Sequence, residues 1–464
     1  MPDPKGSNID PKGSNTQQSS DREAQIQRMM RQIEQKLREG LADEAGTLDE
    51  IESETQEIGE QIKQIIEQER LESKGTGFVG NRRLCPQCGT IQRYRGKAQR
   101  KIVTLAGERL IKRAYYYCDA CRKGCYPLDA SLGATAGAFS IAVWALATRF
   151  SGYVPFAHAA RELEEVCGIH ISASSMQRIS RKSGRQLQKD WEAAEQALRR
   201  CEDMSDPPLE LLRLRGGTAQ KPISQLQSSM DGVYLFIAGE WKEVKMAVSF
   251  SQNNQGMIAN YYASTLESRD FGPRAWLLHQ MSGGHRCQKC AVIGDGAPWI
   301  WKEYGKYMPQ ATQILDFYHV SEYLGKIARL RFGEKTVTAK TKGRAWVLRQ
   351  EKHLQANNVS AVVRSVRDWR PATLEGQELQ RTQLAYYGEH RKRMQYDDYY
   401  KAGWHIGSGM VESANNHVLQ NRMKRPGMRW SAEGAASMIH LRATACSDDR
   451  PSYHSIAERA MVAA

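Results

Sequence analysis

"MDGVYLFIA" (residues 230–238), "WKEVKMAVSF" (241–250) and "NYYAST" (260–265) are three consecutive apolar, β-rich runs. An alternation follows them: a helix pattern in "GPRAWLLHQM" (272–281), a strand in "CAVIGDGA" (290–297), a helix in "WIWKEYGKYM" (299–308) and a strand in "ATQILDFYHV" (311–320). Three strands and then helix, strand, helix, strand predict a mixed α/β sheet over 220–320. Two aspartates mark this sheet: Asp231 begins the first strand and Asp295 ends a later one. Carboxylates at the ends of apolar strands are costly to bury without a cation, so the pair points to a metal site or to a polar sheet edge. Singly, each is an ordinary cap or turn residue, and Asp295-Gly296 is a good turn dipeptide.

Working outward, 321–405 reads as helical throughout and 406–446 as a last helix pair, with 447–464 as a tail. Glu412 stands at the head of the first of these helices in "VESANN" (411–416), between the glycine-flanked "HIGSG" (405–409) and the basic "NRMKRPGMRW" (421–430). The glycines of that loop let the chain pass close to its neighbours, and Pro426 ends the helix. Three acids from two strands and one helix suit two Mg²⁺ ions (or Mn²⁺) about 4 Å apart, the arrangement used in phosphoryl transfer.

The chain has 464 residues, 41% of them hydrophobic, enough for several cores. Its formal net charge of +14 biases it toward a polyanion, nucleic acid first. The opening "MPDPKGSNIDPKGSN" is polar and reads as no export leader. "GATAGAFSIAVWALATRF" (133–150) falls short of the ~20 apolar residues a span needs and reads as a buried helix, so no membrane partner is expected. With ten cysteines and no export signal, a reducing cytoplasm and metal ligation are expected ahead of disulfides.

The N-terminal 1–20, with "DPKGSN" twice, predicts a disordered tail. Over 21–74, Ile26, Met30, Ile33 and Leu37, then Leu48, Ile51, Thr55, Ile58, Ile62 and Ile65 form a heptad-like stripe that suits either a dimerising coiled coil or a helical hairpin packed on its own body. In 75–132, "CPQC" (Cys85, Cys88) and "CDAC" (Cys118, Cys121) flank a hairpin pattern and predict a zinc-ribbon-like module holding structural Zn²⁺, with Cys125 close enough to replace one ligand. "HRCQKC" (Cys287, Cys290) is a third pair lacking a second half, read as structural. In 133–200, "PFAHAARELEEVCG" and "ISASSMQRISRKSGRQL" suit a helix-turn-helix that displays Gln177, Arg178, Arg181 and Lys182 to DNA, or plain helical packing.

The order of cysteine pairs, helix pair, "MDGVYLF", "VIGDGAPWIW", "QILDFYHVSEYL", "IGSGMVESANN" and "KRPGMRWS" resembles the ISKra group of bacterial insertion-sequence transposases, relatives of the Mutator-like DDE enzymes, over about residues 75 to 446. The resemblance implies a ribonuclease H-like mixed sheet, a fold that requires the element order read in 220–320, interrupted by an α-helical insertion. It implies a catalytic triad of Asp231, Asp295 and Glu412, and a supporting Asp316 and His319 from "DFYH". Asn415, Asn416, Arg422, Lys424 and Arg425 are expected to meet DNA, and Trp430 to stack on a base or to lie in the core. The implied activity is metal-dependent hydrolysis and strand transfer on transposon ends and target DNA, by a homodimer or higher oligomer in the bacterial nucleoid. A nuclease without strand transfer, or a zinc-containing regulator with an inactive core, uses the same residues.

Overall fold

The computed structural model describes residues 13–40, 46–133, 137–201, 208–216, 223–253 and 256–462. The chain is mixed α/β and divides into two compact units, one of 1–147, 157–176 and 457–464 and one of 148–156 and 177–456.

In the first unit, helices Gly13–Gly40 and Leu48–Ser73 pair with each other, tied by Gln25 Nε2 donating to the Glu69 carbonyl at 2.7 Å. Of the two readings of the heptad stripe, the chain shows the hairpin. Thr47 and Glu50 form a capping box at the head of the second helix, the signature of a Thr followed by Glu three residues on. The expected tail is corrected in part: residues 1–12 lie outside the described residues, but helix begins at Gly13. A four-stranded antiparallel sheet follows, β1 (Arg82–Leu84), β2 (Ile91–Thr104), β3 (Gly107–Cys118) and β4 (Lys123–Cys125), in sequence order. Under it Asp129 is buried between Arg100, at 2.9 Å, and Arg113, a paired charge cluster beside the buried Ile111 and Leu128.

The second unit is built on five strands: β5 (Gln225–Ile237), β6 (Glu240–Asn253), β7 (Gly256–Ser264), β8 (Lys289–Gly294) and β9 (Thr312–Leu315). They lie in the order β7-β6-β5-β8-β9, antiparallel across the first three and parallel from β5 to β8 to β9. Sequential hairpins make the antiparallel half, and helical crossovers, Ser268–His279 and Pro298–Tyr307, make the parallel half. One core cluster gathers Met230, Ala247, Tyr262, Val292 and Ile314 with these helices. The other gathers Val233, Leu235, Val244 and Met246 with Val411, Ala414, Val418 and the helix Ala432–Cys446.

One strand boundary departs from expectation. Asp231 stands in the middle of β5, because the polar run Gln225–Ser229 is also strand. Residues 321–405 are helical as the pattern predicts, in Phe317–Phe332, Val337–Gln355, Val359–Arg367, Leu374–His390 and Tyr396–Lys401. The C-terminal tail is corrected to a helix, Tyr453–Val462, with Ile456, Ala460 and Met461 buried. Among the described residues no helix is long and apolar enough to cross a membrane.

Candidate functional site

Register brings the two aspartates together. In the parallel pair β5–β8, Ser229 faces Ile293, so Asp231 within β5 and Asp295, one residue past the end of β8, each lie two residues further on and come side by side. Adjacent strands are about 4.8 Å apart. Asp231 also shares the face of Val233 and Leu235, which the helix Gly409–Ala414 covers. That helix, continued by a π-helical turn Asn415–Gln420, delivers the third acid. Asn415 donates from Nδ2 to Asp231 Oδ2 at 2.7 Å, and Glu412 lies three residues earlier, on the same side of the helix.

The electrostatics record this convergence. Burial pushes the Asp231 carboxyl up to about 6, and the charges of Asp295 and Glu412 push in the same direction; the Gly232 N–H and the Asn415 amide oppose them. Asn415 is 5% exposed, and its Oδ1 has no hydrogen-bond partner. An acceptor left open beside three acids suits a water or a cation. The acids are gathered less tightly than the cysteines described below, since their oxygens do not all lie within 4.8 Å of one another.

Ser408 fixes Glu412. Its hydroxyl sits between two carboxylates, 2.8 Å from Glu412 Oε1 and within hydrogen-bond reach of Asp316 Oδ2, and gives its one proton to either. Asp316, 1% exposed, is the N-cap of Phe317–Phe332, with Oδ1 accepting from the backbone of Tyr318 at 2.7 Å and of His319 at 3.3 Å. Asp316 therefore acts through Ser408 on Glu412, while the His319 ring packs edge-on against Tyr323. The close passage expected of "IGSG" occurs at Gly407, where a Cβ would lie 2.5 Å from the Tyr318 ring. Tyr386, from the helical 321–405 stretch, donates to the Asp295 carbonyl at 2.8 Å. Ser408 and Tyr386 were not legible as site residues: a serine in a Gly-Ser-Gly loop and a tyrosine within a helix carry no periodic signal.

The other candidates separate by burial. Gln177, Arg178 and Arg181 lie exposed on the helix Ala173–Leu198, Lys182 is half-buried, and Ser172 Oγ caps the helix start by accepting from the Ser175 backbone. Arg185, on the same helix, joins Arg181 in pairing with Glu433. Asn416, Lys424 and Arg425 are exposed. Two expected DNA contacts, Asn415 and Arg422, are corrected, and of the two readings of Trp430 the chain shows the core one. Asn415 is buried on Asp231. Arg422, 1% exposed, donates to the Ser151 carbonyl at 3.1 Å and packs over Phe156 and Trp430. Trp430 is half-buried and held at both its indole, which donates to the Met423 carbonyl at 3.0 Å, and its backbone, bridged to Ile237. A long side chain inside a core reaches no phosphate.

In the first unit Cys85, Cys88, Cys118 and Cys121 bring their sulfurs within 4.8 Å of one another, with Cys85–Cys121 at 3.7 Å and Cys88–Cys118 at 3.6 Å. Tetrahedral zinc with Zn–S near 2.3 Å sets sulfurs about 3.8 Å apart, so the cluster is compatible with structural zinc. Four thiols this close do not all ionise unaided: the Cys121 backbone N–H and Thr90 lower Cys118 to about 6, while burial pushes Cys121 up to about 12. Cys125 stands apart, 3.2 Å from the Gln92 amide, which leaves it outside the four. The expectation against disulfides is corrected at one place, since Cys287 and Cys290 are joined. No protein-family model matches this sequence, and no curated protein matches it either.

Proposed function

We propose that this protein is a DNA transposase of the ISKra-like DDE type, with a ribonuclease H-like core and Asp231, Asp295 and Glu412 as its catalytic acids. The observation that carries this reading is the register pairing of β5 with β8, which aligns two aspartates beneath the helix that bears the glutamate. The strand order β7-β6-β5-β8-β9, three antiparallel then two parallel, supports the core, and the helices of 321–405 suit an insertion between the second acid and the third.

Asp231, Asp295 and Glu412 are the residues that hold two Mg²⁺ ions, and when bound the pair supplies the charge neutralisation and Lewis acidity that in-line displacement at phosphorus needs. Asn415 orients Asp231, and Ser408 with Asp316 aims Glu412. Charge binds the DNA: Gln177, Arg178, Arg181 and Lys182 on the second helix of a helix-turn-helix, Asn416, Lys424 and Arg425 beyond the glutamate, and Arg93, Arg95, Lys97, Lys101 and Lys112, exposed on the cysteine-bound hairpin. That hairpin is the zinc ribbon of this reading, its metal adding to a small apolar core of Ile102, Ile111, Tyr116 and Leu128. Joining two transposon ends to target DNA calls for at least a homodimer, acting in the bacterial cytoplasm at the nucleoid.

The test is an assay with DNA from the flanks of the gene and Mg²⁺, scored for cleaved and for joined products. Asp231→Ala is expected to abolish both while end binding persists. Cleavage that survives the substitution overturns the assignment, and cleavage without joining assigns the site to a nuclease.

A further inference from the structure

The cysteine pair that sequence left without a second half has one in space. Cys287 and Cys290 face His279, the last residue of the helix Ser268–His279, and the ligand atoms of the three lie within 4.8 Å of one another. The imidazole is 4% exposed and oriented from behind: its Nδ1 lies 2.9 Å from Ser228 Oγ, which in turn lies 2.7 Å from Ser249 Oγ on the neighbouring strand. With Ser228 donating to Ser249 and accepting from Nδ1–H, the Nε2 lone pair is left to face the cysteines. An imidazole held at one nitrogen so that the other is presented is the usual support of a metal-bound histidine.

The loop between them is shaped around that nitrogen. Gly284 passes so close that a Cβ would fall 2.6 Å from His279 Nε2 and 2.3 Å from Cδ2, and Gly283 adopts φ 106° to make the turn. A disulfide between residues three apart closes too small a loop to constrain the unfolded chain much, so cross-linking explains neither the buried histidine nor its hydrogen-bond chain.

We propose that, with its two cysteines reduced, this cluster is a second transition-metal site: Cys287 and Cys290 thiolates and His279 Nε2 bind one Zn²⁺, with water in the fourth position. Two thiolates and an imidazole suit zinc over the hard cations that carboxylates take. Cys290 opens β8 and lies five residues before Asp295, about 16 Å along the strand, so the metal fastens the end of Ser268–His279 to the start of the parallel pair. The proposal rests on the first unit's cysteines no more than on the acids.

Metal content of the full chain, purified under reducing conditions, tests it. The wild type is expected to hold one more zinc per chain than Cys287→Ser/Cys290→Ser, and also one more than His279→Gln, which keeps both thiols. Cobalt(II) replacement in the wild type gives a second reading that needs no folded variant: the thiolate-to-metal charge-transfer band should correspond to six thiolates where the four-cysteine cluster alone accounts for four. Equal zinc in the wild type and both variants, or a four-thiolate cobalt band, overturns the proposal.

Discussion

Replacing Asp231 by asparagine should stabilise the protein, and by an amount that grows with pH. In the folded chain the Asp231 carboxyl is raised from 3.8 to about 6, first by burial and then by the charges of Asp295 and Glu412. A shift of that size corresponds to about 3 kcal/mol. Its sign follows from proton binding. Between pH 4 and 6 the folded chain keeps a proton that the unfolded chain has released, so this contribution is full below about pH 4 and is lost as pH rises through 6. Asparagine keeps the shape and removes the charge. It also finds a partner, because Asn415 Oδ1 is unpaired and an amide rotation turns it toward the new donor. The gap between Asp231→Asn and wild type should therefore be about 1.5 kcal/mol at pH 5 and about 3 kcal/mol at pH 8, or roughly 6 °C in melting temperature at the upper end for a unit of this size. Calorimetry in buffer free of added divalent ions reads it. On the proposed function, millimolar Mg²⁺ closes the gap by stabilising the wild type alone. A variant less stable than wild type at pH 8, or a gap that narrows as pH rises, refutes the picture of an Asp231 carboxyl raised by burial and, beyond that, by its two acidic neighbours.

Three further outcomes follow from the same geometry. Arg422→Ala should lower stability by about 3 kcal/mol by emptying a buried site and leave the salt dependence of DNA binding unchanged, whereas Lys424→Ala/Arg425→Ala should lower the slope of log K against log salt by about 2 with little change in melting. Ser408→Ala should reduce cleavage at least tenfold, on the scale of other residues that orient metal-binding side chains, and Ser408→Thr should restore part of it; an unaffected rate would remove Ser408 and Asp316 from the positioning of Glu412. Cys118→Ser should cost one zinc per chain and expose β1–β4 to limited proteolysis, while the melting of the second unit stays put.

Much of this was legible because the relevant signals are local. Two cysteine pairs with a hairpin between them predict a four-cysteine cluster by spacing, with only Cys125 open as an alternative ligand, and apolar period sets the five strands of the second sheet. What stayed hidden is polar burial. Gln227, Ser228 and Ser229 look like a loop by hydropathy, yet they are buried strand, each paid out in hydrogen bonds to residues remote in sequence, so the start of β5 and the true place of Asp231 were misread. The same blindness assigned Arg422 to DNA: a basic side chain in a basic run reads as surface until Ser151, Phe156 and Trp430 surround it. Likewise the His279 partner of Cys287 and Cys290 lies across a turn that no spacing rule describes.

Those same polar residues explain how Glu412 returns to the sheet after 321–405 intervenes. Gln225 donates to the Ala402 carbonyl at 2.7 Å, and Gln227 clasps His405 at both its N–H, 3.1 Å, and its carbonyl, 2.7 Å. The Phe317 N–H then takes the Ile406 carbonyl at 2.9 Å, Ser408 meets Asp316, and Asn415 meets Asp231. From residue 402 to 415 the chain is pinned in succession to β5, to the turn after β9 and back to β5. Each of these bonds joins the segment to the sheet or to the helix cap at its edge, and none to the body of the helices between 337 and 390. Hydrogen bonds from β5 and from the cap at Asp316 thus place the third acid, while Trp404 of the same segment packs in one core with Trp346, Leu354 and Tyr387 of the helical stretch. Tyr386, on the Asp295 carbonyl, couples the interior of that stretch to the acids through the backbone of the loop.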